Sequence, residues 1–417
     1  MKPEIKERID KIKRGEMPDG YKTSKIGVIP EDWDVKHLED ISNINPRKEV
    51  LDENDTVSFI SMSDVSDDAR LISYQPRLYK EVFKGFTSFR DGDVLVAKIT
   101  PCFENGKGAL VDNLINKTGF GSTEFHVLRS KKNGDELFIY YHTVTDRFRK
   151  IGEKNMTGTA GQKRISTDFV KGFLIPYPRN DIERKKIASI LSTWDKAIEL
   201  KEKLIEQKKQ QKKGLMQKLL TGEVRLPGFK DKWKTMLMSN CIDIMNGFPF
   251  KSEYFNEENI GIPLIRVRDI KAKEITTYYS GEFSNDYIIK RGDVIVGMDG
   301  EFNVTMWDKS EGLLNQRVMK IIPKVGYDLY FIYQLLIPKL KKIEQLTPST
   351  TVKHLSNKDV YGLKVKMPSF DEQKAIGKVL LCSDKEISLL ESELEILKKQ
   401  KKGLMQLLLT GKVRVKV

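Results

Sequence analysis

Two stretches of this chain are near copies of each other, and that repeat limits the fold before any other feature is weighed. KKGLMQKLLTGEVR runs from Lys212 to Arg225, and KKGLMQLLLTGKVR runs from Lys401 to Arg414. The glycines lie 403 − 214 = 189 positions apart, and the same offset holds back without a gap to Ile187 and Ile376. Self-similarity at so long a spacing is not a solenoid period. It means two domain-sized copies, each ending in the same element.

That element reads as a helix. Apolar residues recur at spacings of four and three from Ile376 through Leu380, Ile387, Leu390, Leu394 and Leu397 to Leu408, with polar interruptions at Ser383 and Lys401. The first copy gives Ile187, Leu191, Trp194, Ile198, Ile205, Leu215 and Leu219, with Lys201, Lys208 and Lys212 on the same seam. This is a heptad pattern whose first copy is loose or wet in the middle. Asp181 and Asp371 stand where N-caps are expected, just after Pro178 and Pro368, and Gly222 and Gly411 stop the helices. About forty residues rising about 1.5 Å each make rods of roughly 60 Å. Neither rod can bury its stripe alone, so the pair is predicted to pack as an antiparallel coiled coil with a pseudo-twofold relation. Two surface helices docked on their own domains are the alternative.

Further landmarks repeat ahead of each helix. Trp33 is matched by Trp233, and DGDVLVA (Asp91 to Ala97) by RGDVIVG (Arg291 to Gly297), both at an offset of 200. Strand-like STEFHVLRS (Ser122 to Ser130) corresponds to NQRVMKIIP (Asn315 to Pro323), and TGTAGQKRIS (Thr157 to Ser166) to TPSTTVKHLS (Thr347 to Ser356). Leu137 to Phe148 and Leu329 to Leu346 read as helical. Short β-branched strands broken by Gly and Asn turns make the class α+β. The predicted order is an N-terminal helix and linker (1–24), a globular unit (25–180), a helix (181–222), a second unit (223–368), a second helix (369–411) and a tail (412–417). The units diverge strongly between their landmarks, as expected of two versions of one fold that bind different things.

Composition narrows the function. Hydrophobic residues are 39% and charged residues 32% of the chain. No apolar run of about 18 residues exists, so no transmembrane helix and no membrane partner is expected. The N-terminus lacks an apolar core of the secretory kind. Cys102, Cys241 and Cys382 are scattered, which suits a reducing cytoplasm. A net charge of +14 and a pI near 9.3 suit a polyanionic partner, and equally a basic but inert surface. GxxxxGK[ST], HExxH and CxxC are absent, and His37, His126, His142 and His354 do not pair at metal spacing. The pattern favours binding over catalysis.

The candidate contacts are polar and basic loop residues. The first unit offers Lys98, Thr100, Asn105 and Lys107, then Ser122 and Thr123, then Gln162, Lys163 and Arg164. The second offers Arg266, Arg268, Asn303, Asn315, Gln316, Arg317, Lys353 and His354. These are the side-chain types that hydrogen-bond base edges and hold phosphates. They also populate ordinary turns.

Taken together, the helix ends GLMQKLLTGEVR and GLMQLLLTGKVR, with FISMSDVS (Phe59 to Ser66), AKITPCFENGKGA (Ala97 to Ala109), GSTEF (Gly121 to Phe125) and TTVKHLSNKDV (Thr350 to Val360), resemble the specificity subunits of type I restriction–modification systems over essentially the whole chain. The resemblance implies a non-catalytic subunit that reads double-stranded DNA. Each recognition domain would read one half of a split target. The helices would set the gap and dock two methyltransferase subunits, and restriction subunits would complete the complex. S-adenosylmethionine, ATP and magnesium would belong to those partners, with no cofactor on this chain. The residues by themselves leave open a coiled-coil adaptor with two heads that bind something other than DNA.

Overall fold

A computed structural model of the chain describes residues 3–159, 161–347 and 353–416. The longer helices are α1 (Pro3–Lys13), α2 (Glu136–Thr143), α3 (Asp146–Lys154), α4 (Asp181–Leu219), α5 (Leu329–Leu346) and α6 (Phe370–Leu409). The chain forms two compact units. Unit 1 is Met1–Lys201 with Glu393–Val417, and unit 2 is Glu202–Ser392. The N-terminal residues extend the expected helix and linker: after α1, Tyr21–Ser24 already pairs with Gly27–Pro30 in a hairpin.

The two units repeat one topology. In unit 1, Val94–Ala97 lies between Phe125–Ser130 and Gly108–Leu110, and Ser42–Ile44 completes that antiparallel sheet. In unit 2, Val294–Gly297 lies between Val318–Pro323 and Val304–Met306, with Ile242–Asn246 at the edge. A second sheet in each unit contains one parallel pair, Thr56–Ile60 with Thr118–Gly121 and Ile262–Ile265 with Gly312–Leu314. A two-stranded ribbon closes each unit, Trp33–His37 with Leu174–Pro178 and Lys234–Leu237 with Lys364–Met367.

The unbroken apolar runs VLVA and VIVG follow from burial on both faces. Val94 and Val96 point into the core that holds Phe138 of α2, whereas Leu95 points into a second cluster with Phe125 and Val127. Val294 and Val296 face Phe331 of α5, and Ile295 faces the cluster around Trp307. Alternation at period two therefore serves two cores rather than one core and solvent.

Helices α4 and α6 are continuous over 39 and 40 residues. Their ends sink into the unit cores: Ile187, Leu191, Met405 and Leu408 in unit 1, Leu219, Ile376 and Leu380 in unit 2. Within each unit the two helix segments run antiparallel and pair by charge. In unit 1 Asp195 meets Lys401, and Lys201 meets Glu393 at 2.8 Å. In unit 2 Lys208 meets Glu386 at 2.6 Å and Lys212 meets Asp384 at 2.5 Å. The lysines that interrupt the first heptad seam are thus half-buried, each with a carboxylate from the other helix. Surface pairs of this kind contribute little stability each, and their value lies in register.

The expected caps shift by about one residue. Helix α4 begins at Asp181, and its first turn is held by Asn180, whose Oδ1 accepts the Ile182 amide at 2.9 Å. Asp181 instead pairs with Lys132 and Arg184. Asp371 likewise lies inside α6, which begins at Phe370. Gly222 and Gly411 end the helices as expected, with φ of +74° and +70°. A Cβ at Gly411 would stand 2.5 Å from Pro30 Cδ and 3.2 Å from Trp33, so this stop also allows a close approach.

Two of the four histidines are structural. Burial pushes His126 down to about 4 and His142 down to about 3. Each is neutral in the fold, so its contribution to stability is complete above the unfolded value near 6.5 and falls away as pH drops through 6.5 towards the folded value. An NMR titration is expected to show no protonation of either ring above about pH 5 while the chain stays folded.

Candidate nucleic-acid interface

Each unit presents one polar edge where three loops converge, and the two edges share a backbone frame. In unit 1 the Lys98 amide donates to the Glu124 carbonyl at 2.8 Å, the Thr100 amide to the Lys163 carbonyl at 2.9 Å, and the Ile165 amide to the Lys98 carbonyl at 3.0 Å. In unit 2 the Met298 amide donates to the Arg317 carbonyl at 2.9 Å, the Gly300 amide to the Lys353 carbonyl at 2.9 Å, and the Leu355 amide to the Met298 carbonyl at 2.7 Å. The frame follows from the repeated strand Val94–Ala97 or Val294–Gly297, whose C-terminal end delivers the first loop beside the start of the next strand over.

On that common frame the side chains differ. Ile99 corresponds to Asp299, Ser122 to Asn315, Thr123 to Gln316, Glu124 to Arg317 and Arg164 to His354. In unit 1 Arg164 grips Glu124 through Nε and Nη2, the shortest contact being 2.8 Å, and Lys98 Nζ donates to the Thr123 carbonyl at 2.9 Å. The carboxylate raises the pKa of Arg164, and burial lowers that of Lys98. In unit 2 the acid sits elsewhere: Asp299 takes His354 Nδ1 at 2.7 Å and Arg317 Nε at 3.4 Å. One edge therefore centres on a carboxylate of the strand-start loop, and the other on a carboxylate of the strand-end loop.

The predicted residues divide on this geometry. Lys98, Thr100, Ser122, Thr123, Gln162, Lys163 and Arg164 lie on the loops that the unit 1 frame ties together. Asn315, Gln316, Arg317, Lys353 and His354 do so in unit 2. Gln162, Lys163, Gln316, Arg317 and His354 are exposed.

Several candidates are already committed to structure. Lys107 Nζ donates to the carbonyls of Met62 and Val65 at 3.0 and 2.9 Å. Arg266 folds onto buried Asp269 at 2.8 Å, and Lys353 Nζ holds the Glu344 carbonyl near the end of α5 at 2.6 Å. Asn315 Oδ1 accepts the next amide at 2.6 Å, Ser122 Oγ accepts the Glu124 amide at 3.2 Å, and Thr100 Oγ1 donates to Glu104 at 2.5 Å.

Asn105, on the turn that follows Thr100, lines a cavity with Tyr140 and Arg149. Asn303 Nδ2 reaches Glu301 at 3.2 Å, and Arg268 is exposed on the turn Val267–Asp269. The expected loop residues 348–352 lie outside the described residues. In the sequence Glu124 and Asp299 are simply further polar residues of the candidate loops; that each organises its edge shows only in the structure, where they pair with Arg164 and His354 from a distant loop. Their signal was present in the alignment, where Glu124 and Arg317 occupy one position with opposite charge. Among the described residues no group of three or more His, Cys, Asp and Glu side chains is placed to hold a metal, and no helix is long and apolar enough to cross a membrane.

The two units thus carry unlike side chains on one shared backbone frame. The family model described as type I restriction modification DNA specificity domain matches residues 30–210 and 230–399, one match per copy. The chain belongs to this family. It is 38% identical over 188 residues to the type I restriction enzyme EcoBI specificity subunit of Escherichia coli, a match covering 44% of this chain and 40% of that protein. The chain thus spans two fifths or less of the length of the three E. coli relatives it matches. It is 27% identical over 435 residues to the putative type I restriction enzyme MjaX specificity subunit of Methanocaldococcus jannaschii, covering 95% of this chain and 97% of that one. The crystal structure of the type I restriction–modification S subunit from M. genitalium shares the fold, with 18% identity, a TM-score of 0.58, and coverage of 92% and 96% of the two chains.

Proposed function

We propose that this chain is the sequence-reading subunit of a type I restriction–modification complex and is not itself a catalyst. Each unit reads one half of a split double-stranded DNA target through its polar edge. The observation that carries this reading is the shared backbone frame with exchanged side chains, since one docking geometry with two sets of donors and acceptors suits two different half-sites on one duplex form. Helices α4 and α6 set the unread gap and dock two methyltransferase subunits. Restriction subunits complete the assembly, and S-adenosylmethionine, ATP and magnesium are bound by those partners. Family membership gives no support to an adaptor that ignores DNA.

Affinity for duplex DNA is expected to fall steeply with salt, because phosphate contacts release counterions. Six to ten such contacts correspond to a loss of about 10³–10⁵ in affinity between roughly 50 and 200 mM salt. Titration of a labelled duplex at several salt concentrations checks this. Binding that is absent at low salt, or that ignores salt, overturns the reading.

A further inference from the structure

The same repeat that builds two reading edges also builds two clefts between a long-helix end and the helical layer of its unit, and these clefts differ in charge. Lys402 and Met405 of α6 correspond to Lys213 and Met216 of α4 at the repeat offset of 189. FIYYHTVTD of α2 and its turn aligns with FIYQLLIPK of α5, placing Asp146 against Lys339 and Val144 against Ile337 at an offset of 193.

In unit 1 the cleft is filled with opposite charges. Lys402 pairs with Asp146 at 2.8 Å, Lys401 pairs with Asp195, and Asp67, Asp68 and Glu104 also line it. In unit 2 the acid opposite the helix lysine has become Lys339. The cleft there is a groove of about 810 Å³ with a floor that includes Met216, Leu220, Leu335 and Ile337, and no Asp or Glu lines it. Lys213, Lys341 and Lys342 join Lys339 along its sides, and Lys364 and Lys366 continue the basic face next to it. The surrounding charges give little compensation. Glu344 is buried and committed to Lys341 at 2.7 Å and to the Phe302 amide at 2.9 Å, while Lys339 donates to the Lys364 carbonyl at 3.1 Å. Burial, and after it the neighbouring Lys342, lowers the pKa of Lys339.

We propose that the groove between the end of α4 and α5 is a docking site for an acidic amphipathic helix of a protein partner, and that the matching cleft of unit 1 is not. Half-exposed Met216 of α4 and Ile337 of α5 line the trough, with Leu220, just past the end of α4, and Leu335 buried at its bottom, an arrangement of the kind that accepts a third helix. Lysines on its sides are complementary to glutamates flanking an apolar stripe. A bare phosphate backbone would leave the apolar floor uncovered, which favours a protein over nucleic acid. The site does not depend on the DNA reading, because none of the edge loops lines it.

The test uses the full chain and a labelled synthetic peptide of about four helical turns, with leucines on one face and glutamates on the others. Fluorescence anisotropy is expected to show one peptide bound per chain. Lys339→Asp, which restores the charge found at Asp146, is expected to weaken binding about ten-fold or more, and exposed Lys342→Glu to act in the same direction. Duplex DNA binding of both variants is expected to remain that of the parent chain, which reports folding and separates failure here from failure of the DNA reading. The proposal is overturned if no peptide binds, if two bind, or if a composition-matched scrambled peptide binds equally well. It is also overturned if a short duplex displaces the peptide, or if both variants bind as the parent does.

Discussion

Replacing Arg414 with methionine is expected to destabilise unit 1 by about 3 kcal/mol. The reason is Glu183 at the start of α4, which is only 1% exposed. Arg414 donates to its two carboxylate oxygens at 2.6 and 2.9 Å, and Trp33 Nε1 adds a third bond at 3.1 Å. The guanidinium lies over the Trp33 ring at 5.7 Å and also grips Asp32 at 2.7 Å. Methionine would keep much of the packing and leave a buried carboxylate with one donor. Breaking such a pair from one side costs more than the pair contributes net, because the remaining charge has lost its compensation. The partial exposure of Arg414 places the estimate at the low end of the usual range.

The double variant Glu183→Gln/Arg414→Met is therefore expected to be more stable than Arg414→Met alone. Chemical denaturation of the four members of that cycle measures the coupling. Additive losses would show that the clasp is not a buried-charge device. The same clasp recurs in unit 2, where fully buried Glu372 accepts Arg225 at 2.5 and 2.7 Å and Trp233 at 3.1 Å. Arg225→Met is expected to act in the same direction.

The second expected result concerns recognition. Arg317→Ala should relax base discrimination at one or two positions of one half-site by about 1–3 kcal/mol and leave the other half-site unchanged. Arg317 is exposed on the edge, where its Nε meets Asp299 at 3.4 Å, a long contact that it can exchange for a base. Lys163→Ala in unit 1 should behave differently. Its side chain is exposed on the frame, so a phosphate role predicts uniform weakening and a salt slope shallower by about one. Binding of both variants to duplexes substituted one base pair at a time distinguishes the outcomes. Uniform weakening by Arg317→Ala would remove it from the base-reading set.

Much of the architecture was legible because it is written twice. The repeat fixed two copies, the heptads fixed two long helices, and VLVA and VIVG marked the central strands. What the heptad could not supply was the reason for Lys201, Lys208 and Lys212 on an apolar seam. Their carboxylate partners belong to the other helix, nearly two hundred residues away, and pairing register is not visible from one strand of a pair. The clasp was hidden for a related reason. Trp33 and Trp233, like Arg225 and Arg414, stand at repeated positions, whereas Glu183 and Glu372 read as first-turn acids of the ordinary kind. Among the site residues, Lys107, Arg266 and Lys353 have the chemistry of DNA contacts but are bound to carbonyls or a buried carboxylate. Composition cannot separate a lysine that caps a turn from one that waits for phosphate.

Co-expression with the cognate methyltransferase subunit, followed by mapping of methylated adenines, would decide whether the two edges are readers. Two unlike half-sites separated by a fixed, unread gap are the expected result, with Arg317→Ala loosening only one of them. A contiguous motif, two identical halves, or a stable complex that methylates without sequence preference would contradict the reading of two different sites on one frame.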